Sequence, residues 1–212
     1  MAKFITFEGI DGTGKSSVCK AVFNGLVDQG YCVLHTLEPS DGWLGKIVRE
    51  SYKKDISPFS EAMLFCADRA QHTTEISKWL SEGYHVLCDR YVDSTIAYQS
   101  AILRPQYKIK KDLDLMGWLE EVNRPYIRTP DLTVLLTCPP EICLKRIGVR
   151  GKSSKFERLD LLRAIEANYL KIMKGSKRFV SVDADRPLEK VISDALNAVK
   201  KTLGNDKRPK KA

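Results

Sequence analysis

The sequence predicts an α/β fold, a doubly wound parallel five-stranded sheet flanked by helices. Three observations carry this reading. Five short apolar runs are spread along the 212 residues, and most are continuous rather than alternating, as strands covered on both faces require. Helical patterns separate them, which favours parallel strands joined by right-handed crossovers. A glycine-rich turn lies between the first run and the first helix.

In chain order, residues 4–7 form the first strand. A helix follows over residues 16–29, with Val18, Val22 and Leu26 on one face and Gly30 as its stop. Residues 31–35 form the second strand. A long helix starts after Ser57 and Pro58, a cap residue with proline in the first helical position, and runs to near Gly83. Strands at 84–88, 132–137 and 178–182 complete the sheet. Helices at about 110–122, 140–149, 157–174 and 188–203 complete the layers. With no internal repeat or low-complexity linker, residues 1–203 read as a single domain.

Hydrophobic residues make up 43% of the chain and charged residues 29%, an ordinary globular balance. No apolar run approaches the roughly 20 residues that span a bilayer, and residues 4–7 begin a strand where a signal peptide would need a basic and then apolar pattern. A cytoplasmic protein without a membrane partner is expected. The six cysteines include no C-x-x-C pair, and none of the three histidines falls at ligand spacing. They read as small, buried, reduced side chains rather than a zinc site. Net charge is +8, but residues 200–212 hold six basic residues and one acidic residue, so +5 of it is terminal. Residues 204–212 are expected to be a disordered basic tail. A nucleic-acid partner is not expected.

Gly9-Ile10-Asp11-Gly12-Thr13-Gly14-Lys15-Ser16 fits G-x-x-x-x-G-K-[ST] in full, between an apolar strand and a helix start. The fold is therefore of the P-loop NTP hydrolase type. Backbone N–H groups from Gly9 to Ser17 would cradle the phosphates of ATP, helped by the helix N-terminus. Lys15 would neutralise the β and γ phosphates and Ser16 would ligate Mg²⁺. Asp89, ending the run YHVLC, is placed to hold a magnesium-bound water at the carboxyl end of the sheet. A carboxylate at Asp11 cannot usefully face donor phosphates. Facing away, it can accept a hydrogen bond from a sugar hydroxyl of a second substrate.

FEGIDGTGKSS strongly resembles the thymidylate kinase family, whose loop carries this acid to hold the 3′-hydroxyl of dTMP. Leu64-Phe65-Cys66-Ala67-Asp68-Arg69-Ala70 is similar to the family's LLF-x-AxR helix. The resemblance implies that Phe65 stacks on the base while Arg69 meets its O4 edge, and their i, i+4 spacing puts them on one helical face. Asp89-Arg90-Tyr91-Val92-Asp93-Ser94-Thr95-Ile96-Ala97-Tyr98-Gln99 resembles the family's DRY-x-x-S-x-x-A-[YF]-Q stretch. It implies that Arg90 grips the acceptor phosphate, that Tyr98 lies under the sugar, and that Gln99 fixes the base. A further stretch, Cys138-Pro139-Pro140-Glu141 through Glu157, is similar to the family's PPE helix and mobile lid, placed at about residues 146–157. Its cations Arg146, Arg150, Lys152 and Lys155 become candidates for the charge that stabilises transfer, with Arg150 and Lys155 preferred. Asp183, in Val182-Asp183-Ala184, resembles a strand-end position near the adenine.

The chain departs from the family where T-R-E-P-G reads Thr36-Leu37-Glu38-Pro39-Ser40, which removes one arginine and leaves Glu38 on the acceptor side. The segment after Gln99 follows no family pattern. The resemblance implies a Mg²⁺-dependent dTMP kinase using ATP, and a homodimer. Two alternatives stay open: a kinase for another pyrimidine nucleotide or for thymidine, and a nucleic-acid-linked P-loop ATPase.

Overall fold

A computed structural model describes residues 1–108, 113–148, 158–204 and 206. Among them, five strands and eight helices alternate: β1 Phe4–Glu8, α1 Lys15–Asp28, β2 Val33–Leu37, α2 Trp43–Ser51, α3 Pro58–Ser81, β3 His85–Asp89, α4 Val92–Gln106, α5 Leu115–Asn123, β4 Leu132–Thr137, α6 Pro140–Gly148, α7 Leu159–Lys174, β5 Phe179–Asp183 and α8 Leu188–Leu203. Every strand pair is parallel, and the order is β2-β3-β1-β4-β5. The expected doubly wound sheet is therefore present. The expected lid beyond Gly148, with Arg150, Lys152 and Lys155, lies outside the described residues. So does the tail, apart from Gly204 and Asp206.

The strand order decides where a ligand can bind. The chain runs from central β1 out to β2, returns to β3, and then crosses to β4 on the other side. Connections leave β1 in opposite directions, so a crevice opens at its carboxyl end, and the glycine-rich turn begins there.

Strand alternation divides the core. Ile5 and Phe7 pack with Val18, Val22 and Leu26 of α1 and with Val191, Ala195 and Val199 of α8. Phe4 faces the other way, among Ala62 and Ile76 of α3, Ile96 of α4 and Leu119 of α5. Thr6 and Glu8 share the side of Phe4, so β1 delivers a carboxylate into the α4 side of the sheet. β5 differs from the expectation of two covered faces. It is an edge strand, and only Val182 in it is buried.

Two helices lack a sequence signal. In α4, residues 92–100 are all buried, so no polar face marks the period. In α2, Trp43 and Ile47 stand exposed one turn apart, which inverts the usual pattern. All six cysteines are free thiols and buried.

Candidate active site

The glycine-rich loop is held in shape by close backbone approaches. Gly9 takes φ +146, and a Cβ there would lie 2.6 Å from Leu136 O at the end of β4. Gly12 takes φ +90 with Cys143 of α6 against it, where a Cβ would meet the Cys143 carbonyl oxygen at 2.5 Å. Thr13 ties the turn by donating from Oγ1 to Ile10 O (2.9 Å). Gly14, with φ +82, then caps α1, so Lys15, Ser16 and Ser17 open the helix and its first N–H groups point into the loop. Lys15 is buried, whereas Ser16 and Ser17 are exposed.

The Asp11 carboxylate lies between two cations. Arg90 Nη2 donates to Asp11 Oδ1 (2.5 Å), and Lys15 Nζ is 3.6 Å from the same oxygen. Burial pushes the Asp11 carboxyl up, but Arg90 and Lys15 together outweigh it and hold the carboxyl at about 2. Lys15 is pushed below its ordinary value, by burial first and by the Arg90 charge second, with Asp11, Asp89 and Glu8 opposing. Two cations thus converge on one carboxylate of the phosphate loop.

Arg90 is the first residue after β3 and has φ +71, a left-handed conformation rare outside glycine. Its guanidinium is held on three sides. Nη1 donates to Ser94 Oγ (3.1 Å), Nη2 donates to Tyr98 Oη (3.1 Å) as well as to Asp11, and the group lies 4.8 Å from the Tyr98 ring centre. Asp89, just before it, keeps Oδ1 buried with no hydrogen-bond partner among the described residues.

A second cluster surrounds Arg69, which is 1% exposed. Its Nη1 donates to Asn123 Oδ1 (2.9 Å), and its Nη2 donates to Glu38 Oε2 (2.6 Å), Thr95 Oγ1 (2.8 Å) and Tyr91 O (3.3 Å). Glu38 is buried and also meets His72 Nδ1 (3.1 Å), so its carboxylate engages these two side chains. Phe65, one turn before Arg69 on α3, is half-buried, with its ring 6.4 Å from that of Tyr52. Two polar atoms in this region have no partner among the described residues: Arg69 Nε, a donor, and Gln99 Oε1, an acceptor. Gln99 lies one turn beyond Thr95 on α4, and Thr95 contacts Arg69. The Tyr91 carbonyl joins this cluster to the turn that carries Arg90.

On the other side of the loop, Arg146 of α6 donates to Ala184 O (3.0 Å) and reaches Asp185 (3.5 Å). This forms a shelf with the end of β5. Asp183 there is exposed, accepts the Asp185 N–H (2.9 Å) and lies 3.6 Å from Arg186. Arg150 and Lys155 lie outside the described residues. At Leu37, where the family pattern has arginine, none stands. Arg49 of α2 instead donates to Pro39 O and Ser40 O (both 2.7 Å), fixing the loop after β2.

Glu8, Ser94, Thr95 and Asn123 of this constellation carry no role in the sequence analysis. A charge closing the apolar run FITFE was a visible signal for Glu8. Nothing local distinguishes Asn123, whose role exists only because α5 packs under α3.

The family model described as thymidylate kinase matches residues 7–195. A probable thymidylate kinase of Methanococcoides burtonii is 37% identical over 199 residues, covering 93% of this chain and 96% of its own. One from Pyrococcus horikoshii is 39% identical over 209 residues, covering 94% and 97%. One from Methanosarcina barkeri is 35% identical over 207 residues, covering 96% and 98%.

Proposed function

The chain belongs to the thymidylate kinase family, and on that premise we infer that it transfers the γ-phosphoryl group of ATP to dTMP, giving ADP and dTDP. An oxygen of the acceptor phosphate forms a bond to the γ-phosphorus while the bond to the bridging oxygen breaks, and ADP leaves with the electron pair. The attacking oxygen is already anionic, so positioning and charge neutralisation supply the catalysis.

The observation that carries the acceptor assignment is the pair of unpartnered buried atoms, Arg69 Nε and Gln99 Oε1. An orphaned buried polar group costs about 1–3 kcal/mol, so both ask for a ligand. A thymine edge offers the matching set: O4 accepts and N3–H donates. A cytosine edge offers the reverse and would leave both groups opposed. Phe65 would stack on the ring, Tyr98 would lie under the sugar, and Asp11 would accept from the 3′-hydroxyl while retaining Arg90. Glu38 serves this pocket through Arg69.

Gly9 to Ser17 would wrap the ATP phosphates, with Lys15 across the β and γ groups. Arg146 and Asp183 would flank the adenine, and Arg150 and Lys155 would add charge from a closing lid at 146–157. Residues 1–203 would act as one domain. The residues fit Mg²⁺: a hard cation suits an exposed serine hydroxyl at Ser16 and an unpartnered carboxylate oxygen at Asp89. When bound, the metal supplies charge neutralisation over the β and γ oxygens.

A coupled assay with dTMP, UMP, CMP and thymidine tests the reading. The expected kcat/KM for dTMP exceeds that for CMP by at least about 100-fold, the scale of two mispaired buried groups. Equal turnover of CMP, or a preference for thymidine, would remove the assignment.

The proposal includes a cytoplasmic homodimer. No described helix is long and apolar enough to cross a membrane. Trp43 and Ile47, exposed one turn apart on α2, give a second copy an apolar surface to cover. Sedimentation equilibrium is expected to report twice the chain mass. A monomer at micromolar concentration would rule out the dimer.

A further inference from the structure

Glu8 ends β1 with a carboxylate that is 0% exposed. Both oxygens are used. Oε1 accepts the Tyr91 N–H (2.8 Å), and Oε2 accepts from Ser94 Oγ (2.6 Å) and from Tyr169 Oη (2.9 Å). Each contact bears on Arg90. Tyr91 is the next residue in the chain, so its N–H fixes the peptide on the far side of the left-handed turn. The near side is fixed by Arg90 N–H donating to Phe7 O (3.0 Å). Ser94 spends its one hydroxyl hydrogen on Glu8, which leaves its oxygen lone pairs facing Arg90 Nη1 (3.1 Å). Tyr169 arrives from α7 and packs edge-on to Tyr98, whose ring lies under the Arg90 guanidinium.

We propose that Glu8, anchored by Tyr169, is a positioning residue for Arg90: it fixes the backbone turn and the serine acceptor that together aim the guanidinium at the acceptor phosphate. The inference rests on the reading of Arg90 given above. The physical case is over-determination. A non-glycine residue persists at positive φ only when its surroundings hold it there, and here one carboxylate holds the turn through Tyr91 and the side chain through Ser94. Ser94 as a neutral hydroxyl could point its hydrogen anywhere. An ionised acceptor behind it commits that hydrogen and makes the serine an acceptor toward Arg90.

Burial, and then the charge of Asp93, push the Glu8 carboxyl up to about 7, while Ser94, Arg90 and Tyr169 pull it down. The folded value lies above the unfolded one. The stability this group contributes is therefore present below about 4.5 and is lost as pH rises through about 7. Asp93 is itself held by Arg178, whose Nη1 and Nη2 donate to its two oxygens (2.8 and 2.7 Å). The ionised Glu8 thus weakens the fold where it serves Arg90 best, as expected of a group retained for a site.

A double-mutant cycle tests this. Glu8→Gln keeps the side-chain shape but replaces one acceptor oxygen with a donor. In the otherwise unchanged enzyme it is expected to lower kcat by about 10–100-fold, the range for residues that orient a working group, with KM for ATP within about two-fold. In an Arg90→Ala background the same change is expected to cost less than about two-fold, because the residue it serves is gone. Ser94→Ala removes a single hydroxyl and is run through the same cycle, so the inference stays testable if Glu8→Gln does not fold. Equal fold-losses with and without Arg90 would overturn the positioning role and leave the Arg90 reading intact. Unchanged turnover of Arg90→Ala alone would overturn that reading and the inference with it.

Discussion

Arg90→Ala is expected to lower kcat for dTMP phosphorylation by on the order of 10²-fold or more, with the protein still folded. The magnitude follows from what the guanidinium does in the site. It holds Asp11 at 2.5 Å, lies over the Tyr98 ring, and presents a planar fork of donors where the acceptor phosphate would enter. Bringing two phosphate anions together is the electrostatic obstacle of this reaction. A positioned arginine is worth about 10³–10⁵ in related transfers where it bridges the moving group, and less where it grips only the acceptor. Folding is spared because the side chain fills no core position and 18% of it reaches solvent. Arg90→Lys should recover only part of the loss, since an ammonium cannot serve Asp11, Ser94, Tyr98 and a phosphate with one fixed geometry. Steady-state rates for the two variants decide the matter. Turnover within about three-fold of the unaltered enzyme in Arg90→Ala would place the acceptor phosphate elsewhere.

The elements that positioned this arginine were unevenly legible. The five strands could be read because buried parallel strands are runs of apolar side chains, and each was located to within two residues. The sequence ends three strands one residue early, each where a charge closes the run, at Glu8, Asp89 and Asp183, because a carboxylate reads as the start of a loop. Those three acids are the strand ends that face the crevice. α4 could not be read as a helix from periodicity because both of its faces are buried. Its motif made it visible only by family pattern. The same difference separates the site residues. Lys15, Ser16 and Asp11 belong to a local loop whose spacing states its chemistry. Arg69 was visible, but its web was not. Glu38 comes from 31 positions away, Thr95 from 26 and Asn123 from 54, and no local pattern encodes separations of that kind. Asp11 shows the limit most plainly. Its carboxylate was read as facing a substrate sugar. The structure adds that it already holds Arg90 and Lys15 in place, so one acid can organise both cations before either nucleotide arrives.

Gly12→Ala is expected to raise KM for ATP and lower kcat/KM by about 100-fold or more, with a smaller loss of dTMP affinity through the neighbouring Asp11 and the Arg90 it holds. Two costs combine at this position. The residue has φ +90, where an added side chain is disfavoured by roughly 1–2 kcal/mol. The new Cβ would also lie 2.5 Å from the Cys143 carbonyl oxygen and 2.8 Å from its carbonyl carbon and Cα. All three are backbone atoms of α6, so no side chain can swing away, and either the loop or the helix must shift. A shifted loop misdirects the N–H groups that cradle the phosphates. A shifted helix moves Arg146, one turn further on, off the Ala184 carbonyl and spoils the adenine shelf. Both routes damage the donor side first and spare the cluster around Arg69, while a shifted loop reaches the acceptor only through Asp11. Gly14→Ala supplies the comparison: φ there is +82, but a Cβ would meet nothing within 4 Å, so only the conformational cost applies. Calorimetric titration of each nucleotide against the two variants separates the terms. If Gly14→Ala weakened ATP as much as Gly12→Ala, the contact with α6 would contribute nothing, and backbone strain alone would govern the loop.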